Sequence, residues 1–366
     1  MRQLHIFNCS NDLSLASDSL GYIPPKNILQ MEQDLASLPL WWANDGDAVL
    51  LQNSTQTAEA QFIADNLNKK IIFTTPEEGY SRLCSRCNAN FKAVPWGWSK
   101  DIARRLLKFG FPKEIVPDDS RLKEIRCLSS KKYATEYIQQ FLSSEKISHC
   151  RDKFVGEKMR YLQSIEALEI TEPTILKSPW SSSGRGVFSA DSIEAPSIRE
   201  KLAGFINKQG GFIADKLYDK VLDFALEFKI EERRVQFAGY SIFAAADNGY
   251  YGYNLVASQK RLQEIIESSG VDKQLLNECI ELHTQLLSNE IAGTYNGYLG
   301  IDMLATRIDG CTKIHPCIEI NLRMNMGVAA IFIHNATKGE DTLLSPKDSK
   351  NFIAKIEDSK LILQQG

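Results

Sequence analysis

Apolar residues follow two different periods along this chain, and the change of period divides it. In the first third, short apolar runs at 4–7, 48–51 and 71–75 have the length of strands. The stretches 27–37 and 55–68 between them are helix-compatible. Strand and helix in alternation predict a parallel sheet for residues 1–125. Beyond it, 131–144 carries Tyr133, Ala134, Tyr137, Ile138, Phe141 and Leu142 on one helical face, with Ser129 or Ser130 as cap. A second amphipathic helix is predicted over 273–288, with Leu275, Leu276, Cys279, Ile280, His283, Leu286 and Leu287 in one stripe. His283 lies within that stripe and reads as a core histidine.

The rest of the second region alternates with period two. Over 223–231, Phe224, Leu226, Phe228 and Ile230 share one face, and Asp223, Glu227, Lys229 and Glu231 the other. Glu231 reads as a cross-strand ion-pair partner on a solvated face; Glu227 and Lys229 fit that reading or a site. Residues 211–218 read as another strand with its hinge. Residues 314–323 put Ile318 and Ile320 on one face and Glu319 and Asn321 on the other. Residues 298–305 are apolar except for Asp302. Residues 341–366 are polar and read as a terminal helix or tail.

Chemistry enters where polar groups interrupt these patterns. An acid in so apolar a strand is costly to bury unless paired or bound to metal. Antiparallel pairing of 298–305 with 314–323 would bring Asp302 beside Glu319 and Asn321. Carboxylates with an amide oxygen suit a hard cation such as magnesium. Arg323, on the same face, would reach phosphate or an anionic intermediate. His315 points with Glu319 if the alternation holds, a second line of support for a metal, although Pro316 threatens the register. Upstream, the strand ending at Lys177 runs into Ser181-Ser-Ser-Gly-Arg-Gly186. Such a small-residue loop lets backbone N–H groups approach phosphate oxygens.

Lysine, glycine loop, then Asp…Glu-x-Asn-x-Arg, in this order and spacing, resembles the ATP-grasp superfamily over about residues 126–335. The resemblance implies an α/β (α+β) fold. A Rossmann-like N-terminal domain (1–125) would precede a two-subdomain ATP-grasp fold, with the phosphate loop in 126–210, the metal site in 211–340 and a tail at 341–366. It implies ATP and magnesium as cofactors, with two ions, and manganese as an alternative. Asp302, Glu319 and Asn321 would hold metal. Lys177, Ser182, Ser183, Gly184, Arg185 and Gly186 would surround the phosphates, and Lys177 and Arg323 would act on the transferred phosphoryl group. A lysine near the first helix start would contact nucleotide: Lys132, with Lys131 and Lys153 as options. Asp215, Lys216 and Leu217 would lie at the adenine edge, where the family more often has Glu, and Asp223 at the ribose. The implied activity is an ADP-forming ligase that activates a small-molecule or peptide carboxylate as acyl phosphate for an amine or thiol acceptor. A non-catalytic nucleotide-binding module, or a phosphotransferase stopping at the phosphorylated product, are the alternatives.

Composition excludes other classes. Forty-three basic against 46 acidic side chains leave a net charge of −3, so no cationic field for nucleic acid exists. No apolar run approaches membrane length, and the opening residues read as a short strand rather than a signal peptide. Eight scattered cysteines, several in apolar patterns, suggest reduced thiols and a cytoplasmic protein. Cys84 and Cys87 form a lone C-x-x-C without a second closely spaced pair for zinc and read as coincidence or as structural. There is no Walker loop and no Gly-x-Gly-x-x-Gly after the first strand. Asn8 to Asp12, just after that strand, reads as a helix cap from Ser10, Asn11 or Asp12, or as a ligand loop. Trp41-Trp42 and Trp96-Gly-Trp98 read as packing between domains, with a substrate wall as the other option. His5, His149 and His334 carry no motif, and no His–nucleophile pair supports a hydrolase.

Overall fold

Four short strands, β1 (Arg2–Ile6), β2 (Ala48–Leu50), β3 (Ile72–Thr74) and β4 (Phe91–Pro95), pair in the order β3-β2-β1-β4, every pair parallel. The parallel sheet expected for the first third is present; β4 was not anticipated. The computed structural model describes residues 1–181, 184, 186–245, 251–337, 352–357 and 360–365. These form two units: residues 1–125 with 253–258 and 323–366, and residues 126–252 with 259–322.

In the first unit, the period of two decides which layer each residue joins. Leu4, Ile6, Ala48, Leu50, Phe91 and Ala93 face one side. There they pack with Leu83 of α4 (Tyr80–Cys87) and with Ile102 and Leu106 of α5 (Lys100–Phe109). Val49 and Leu51 face the other, against Ala60 and Ala64 of α3 (Thr57–Asn66). Burial of both faces is what a parallel sheet needs. Two shorter helices, α1 (Asn11–Ser17) and α2 (Lys26–Asp34), follow β1. Cys84 and Cys87 pack partly against this core as free thiols. The tryptophans expected between domains pack inside this unit: Trp42 lies 6.1 Å from Trp96 and 6.4 Å from Phe332, and Phe7 meets Trp96 edge-on at 5.0 Å.

The C-terminus corrects the sequence expectation. Where a helix or tail was expected, the described residues form two antiparallel strands, Phe352–Glu357 and Lys360–Gln365, the first also antiparallel to Tyr251–Val256. Their polar composition concealed a period of two, with Phe352, Ala354 and Ile356 as the apolar set of the first strand.

The second unit has two antiparallel layers. In the smaller, β5 (Arg160–Leu162), β6 (Thr174–Lys177), β7 (Val187–Ala190) and β8 (Phe212–Lys216) run in the order β5-β8-β6-β7. Leu176, Ala190, Phe212 and Ala214 bury against Leu202 of the helix Pro196–Gln209. In the larger, β9 (Lys220–Glu231), β10 (Arg234–Ala245), β12 (Gly297–Ile308) and β13 (Cys311–Asn321) run in the order β13-β12-β9-β10, with β11 kept for Tyr251–Val256. Phe224, Leu226, Phe228 and Ile230 are all 1% exposed or less, as their alternation predicted. Tyr137, Ile138 and Phe141 of the helix Lys131–Ser143, and Leu276, Cys279, His283 and Leu287 of the helix Lys273–Glu290, are buried as expected. His283 stacks on Tyr137 and packs against Phe141, and burial lowers its pKa to about 3. It is a neutral core residue.

One turn and one bulge set the register that matters most. Asp309 (φ 50°) and Gly310 (φ 77°) form the tight connection between β12 and β13. An Asp-Gly pair takes two left-handed residues readily, which fixes Ile308 opposite Cys311. Pairing then holds as far as Leu304 opposite His315. Beyond it the register shifts and Asp302 stands opposite Glu319, so one residue of β12 faces three of β13. Pro316 lies in that bulge, where its missing N–H costs the ladder least. Without the bulge, Asp302 would face Cys317.

Candidate active site

The site is built from both layers of the second unit. Ser130 caps the helix Lys131–Ser143, its Oγ accepting from the Tyr133 N–H at 3.1 Å. Lys131 thus starts the helix on its buried stripe, shared with Ala134 and Ile138. It is 3% exposed, and its Nζ donates to Glu319 Oε1 at 2.7 Å and to Ser181 Oγ at 3.0 Å. Lys132 starts on the exposed side and lies 5.2 Å from the Tyr161 ring centroid; Lys153 is exposed. Of the three lysines weighed from sequence, the structure therefore brings Lys131, and not the chosen Lys132, to Glu319. The signal was legible: Lys131 is three and seven residues from buried positions, Lys132 four from exposed Glu136.

Lys177 ends β6 and is 4% exposed. No described residue hydrogen-bonds or ion-pairs with its ammonium. Burial lowers its pKa from the usual lysine value, Asp215 and Glu319 partly oppose this, and Lys131 adds to it. The loop that follows is fixed at its base. The Ser178 N–H donates to the Gly186 carbonyl at 2.9 Å, and a Cβ on Gly186 (φ +71°) would lie 2.5 Å from Ser178 Oγ. Trp180 binds the Gln209 amide through both backbone groups, and Arg126 covers its ring at 3.7 Å. Ser181, Gly184 and Gly186 are described; Ser182, Ser183 and Arg185 lie outside the described residues.

Asp302 faces Glu319 across the ladder, and Asn321 follows opposite Gly300, as the sequence expectation required. Asp223, facing Leu304 across β12, pairs with Lys220 at 2.6 Å. Burial raises its pKa in spite of Lys220 and Lys177.

Five of the residues singled out from sequence are engaged within the protein. Asp215, expected at the adenine edge, commits both carboxylate oxygens inside the protein. Oδ2 lies 3.1 Å from His315 Nε2, and Oδ1 accepts from the Lys216 N–H at 2.8 Å. His315 is fully buried and faces Asp215 rather than supporting Glu319, because the bulge separates the two. Lys216 and Leu217 are also engaged, Lys216 Nζ with Glu172 at 2.7 Å and the Leu217 N–H with the Pro173 carbonyl at 2.8 Å. Arg323 belongs to the first unit. Its Nε and Nη2 donate to the Asp12 carboxylate at 2.8–3.0 Å, and Nη1 donates to the Met324 carbonyl. Sequence reasoning missed this pair, since 311 residues separate its members. In the same loop the expected cap does not form. Ser10 occupies the cap position of α1, but its hydroxyl donates to buried Glu32 at 2.5 Å, and Arg105 holds the other Glu32 oxygen at 3.0 Å.

Of charged residues 227, 229 and 231, Glu231 pairs at 2.9 Å with Lys229, two residues before it on the same strand, and not with a cross-strand partner in that contact. Glu227 is 1% exposed and accepts from Ser241 Oγ at 2.8 Å.

No protein-family model matches the sequence, and no curated protein matches it. Solved structures do. Biotin carboxylase from Campylobacter jejuni, in a β,γ-ATP complex, is similar with a TM-score of 0.51 at 13% identity, over 97% of this chain and 75% of that one. Pyruvate carboxylase from Rhizobium etli is similar with a TM-score of 0.50 at 12% identity, over 93% of this chain and 28% of that one. The chain has the ATP-grasp fold. Within that fold, the glycine loop follows β6 and the Glu-x-Asn element closes β13. An L-amino acid ligase from Bacillus licheniformis aligns more loosely, with a TM-score of 0.42 at 13% identity over 84% of this chain and 79% of that one. Among the described residues, no helix is long and apolar enough to cross a membrane.

Proposed function

We infer that this chain is an ADP-forming, ATP- and magnesium-dependent ligase that activates a carboxylate for attack by an amine or thiol. One observation carries the reading: Lys177, a buried cation with no hydrogen-bonding partner among the described residues, beside Lys131 and Glu319. A desolvated ammonium without a partner is unstable unless an anion arrives. A triphosphate at the end of β6 would supply that anion.

Asp302, Glu319 and Asn321 fit a hard cation. They are oxygen donors on facing strands, and Glu319 already takes a cation, the Lys131 ammonium. Magnesium bound there would neutralise triphosphate charge. The chain's own part is positional. Lys177 holds a phosphate oxygen from a largely buried position, where a fixed charge is worth more than in water. Lys131, which donates to Glu319, would hold a phosphate oxygen beside Lys177. Asp223, in this reading, accepts from the ribose hydroxyls, and the backbone of 215–217 lines the base. In this reading the phosphates meet the loop that follows Lys177, where small residues let backbone N–H groups approach.

The test is ADP release across a panel of amino acids, small peptides and carboxylic acids, each with and without amines or thiols. Turnover that needs an acid together with an acceptor supports the ligase. A phosphorylated acid accumulating without acceptor identifies a phosphotransferase. ATP binding without turnover across the panel identifies a nucleotide-binding module.

A further inference from the structure

His149, Cys150 and Glu278 meet on the surface of the second unit, and none of them takes part in the chemistry above. His149 and Cys150 lie in the 3-10 segment Glu145–Lys153; Glu278 lies in the second turn of the helix Lys273–Glu290. The segment is broken at Cys150 (φ −131°, ψ 16°). The break turns two consecutive side chains toward one carboxylate. His149 Nε2 lies 3.1 Å from Glu278 Oε1, and Cys150 Sγ lies 2.9 Å from Oε2. The Gln274 amide donates to Oε1 at 3.0 Å. The helix itself is fixed by Asp272, which accepts from the N–H groups of Gln274 and Leu275.

We propose that these three side chains form a site for a thiophilic divalent cation, zinc being the representative case. Sulfur, imidazole and carboxylate together select zinc or cobalt over magnesium, which prefers oxygen alone. The three ligand atoms all lie within 4.8 Å of one another. Tetrahedral ligands at about 2.0–2.3 Å from zinc stand roughly 3.3–3.8 Å apart, so closing on the ion needs shifts of about an ångström. His149 is exposed and the other two are half-buried, so the ion can enter and keep water as fourth ligand. Binding forms a metal–sulfur bond and releases the Cys150 thiol proton to solvent. Gln274 then orients the ligating carboxylate.

The site ties the 3-10 segment to the helix Lys273–Glu290. That segment leads into Phe154 and Val155, and the Val155 N–H donates to the Ile314 carbonyl of β13 at 2.9 Å. Sequence reading missed the site because Glu278 lies 128 residues from Cys150, and only the fold brings them together.

The experiment uses the full chain, stripped with chelator and kept reduced. Cobalt is added while near-ultraviolet absorption reports thiolate-to-metal charge transfer; zinc is titrated by calorimetry and by melting temperature. The expected result is one zinc per chain, a charge-transfer band and a raised melting temperature. Cys150→Ser should abolish the band. His149→Ala, at an exposed position that leaves folding intact, should weaken zinc by more than the roughly 10–100-fold typical of losing an outer-sphere partner. Cys84→Ser and Glu319→Ala should keep both band and stoichiometry. No band, or a band that survives Cys150→Ser or disappears with Cys84→Ser, overturns the proposal. So does unchanged zinc affinity in His149→Ala.

Discussion

Lys177 and Arg323 are both shielded cations that the sequence marked for phosphate, yet their surroundings differ. Arg323 is 16% exposed and satisfied: a carboxylate takes its Nε and Nη2, and a backbone carbonyl takes Nη1. Lys177 is 4% exposed, and no described group hydrogen-bonds with it. The first arrangement stabilises the fold of its own unit. The second is costly by itself and is justified only by what it binds. A charge with a complete set of partners says little about function, while a buried one lacking them asks for a ligand.

The largest test of this contrast is at the acid that both lysines of the site sense. Glu319→Ala should abolish turnover in the ADP-release assay, and unchanged turnover would remove the metal assignment. Next comes affinity. Lys177→Met keeps most of the side-chain bulk and removes one charged hydrogen bond, about 1.5–3 kcal/mol, or roughly tenfold to hundredfold in ATP binding by calorimetry. Wild-type affinity would exclude the contact.

Stability should move in opposite directions at the two cations. In the absence of ligand, Lys177→Met should raise unfolding free energy at neutral pH by about 1–2 kcal/mol, because it removes an unpartnered buried charge. Asp12→Ala should lower it by about 1 kcal/mol, having left Arg323 without its carboxylate. Urea unfolding of both variants decides the matter; two shifts of the same sign would break the comparison.

The smallest effect is a pH dependence. The folded-state pKa of Lys177 lies below its ordinary value of 10.5. Between the two values the unfolded chain binds more protons than the folded one, so stability rises with pH in that window. The destabilising charge is fully present below the folded-state pKa and relieved above 10.5. Urea midpoints from neutral to alkaline pH should therefore climb more in wild type than in Lys177→Met. Parallel profiles would mean Lys177 is not desolvated.

What the sequence determined by itself was local. Period-two alternation named the faces of 223–231 and 314–323, because strand side chains alternate whatever the strand packs against. The lone Asp302 in an apolar strand announced a partner, and Asp309-Gly310 held the turn that pairs the two strands. The stripe of 131–144 also carried the burial of Lys131 and the exposure of Lys132. Tertiary structure alone decided the rest. The bulge at Pro316 set Asp302 opposite Glu319 and turned His315 toward Asp215, since a bulge is settled by competition between two whole strands. Asp12 met Arg323, and Glu278 met Cys150, through packing that brings distant segments together, and no local pattern records such a pairing. Whether Lys177 had a partner was likewise invisible along the chain, because a side chain's satisfaction depends on everything folded around it.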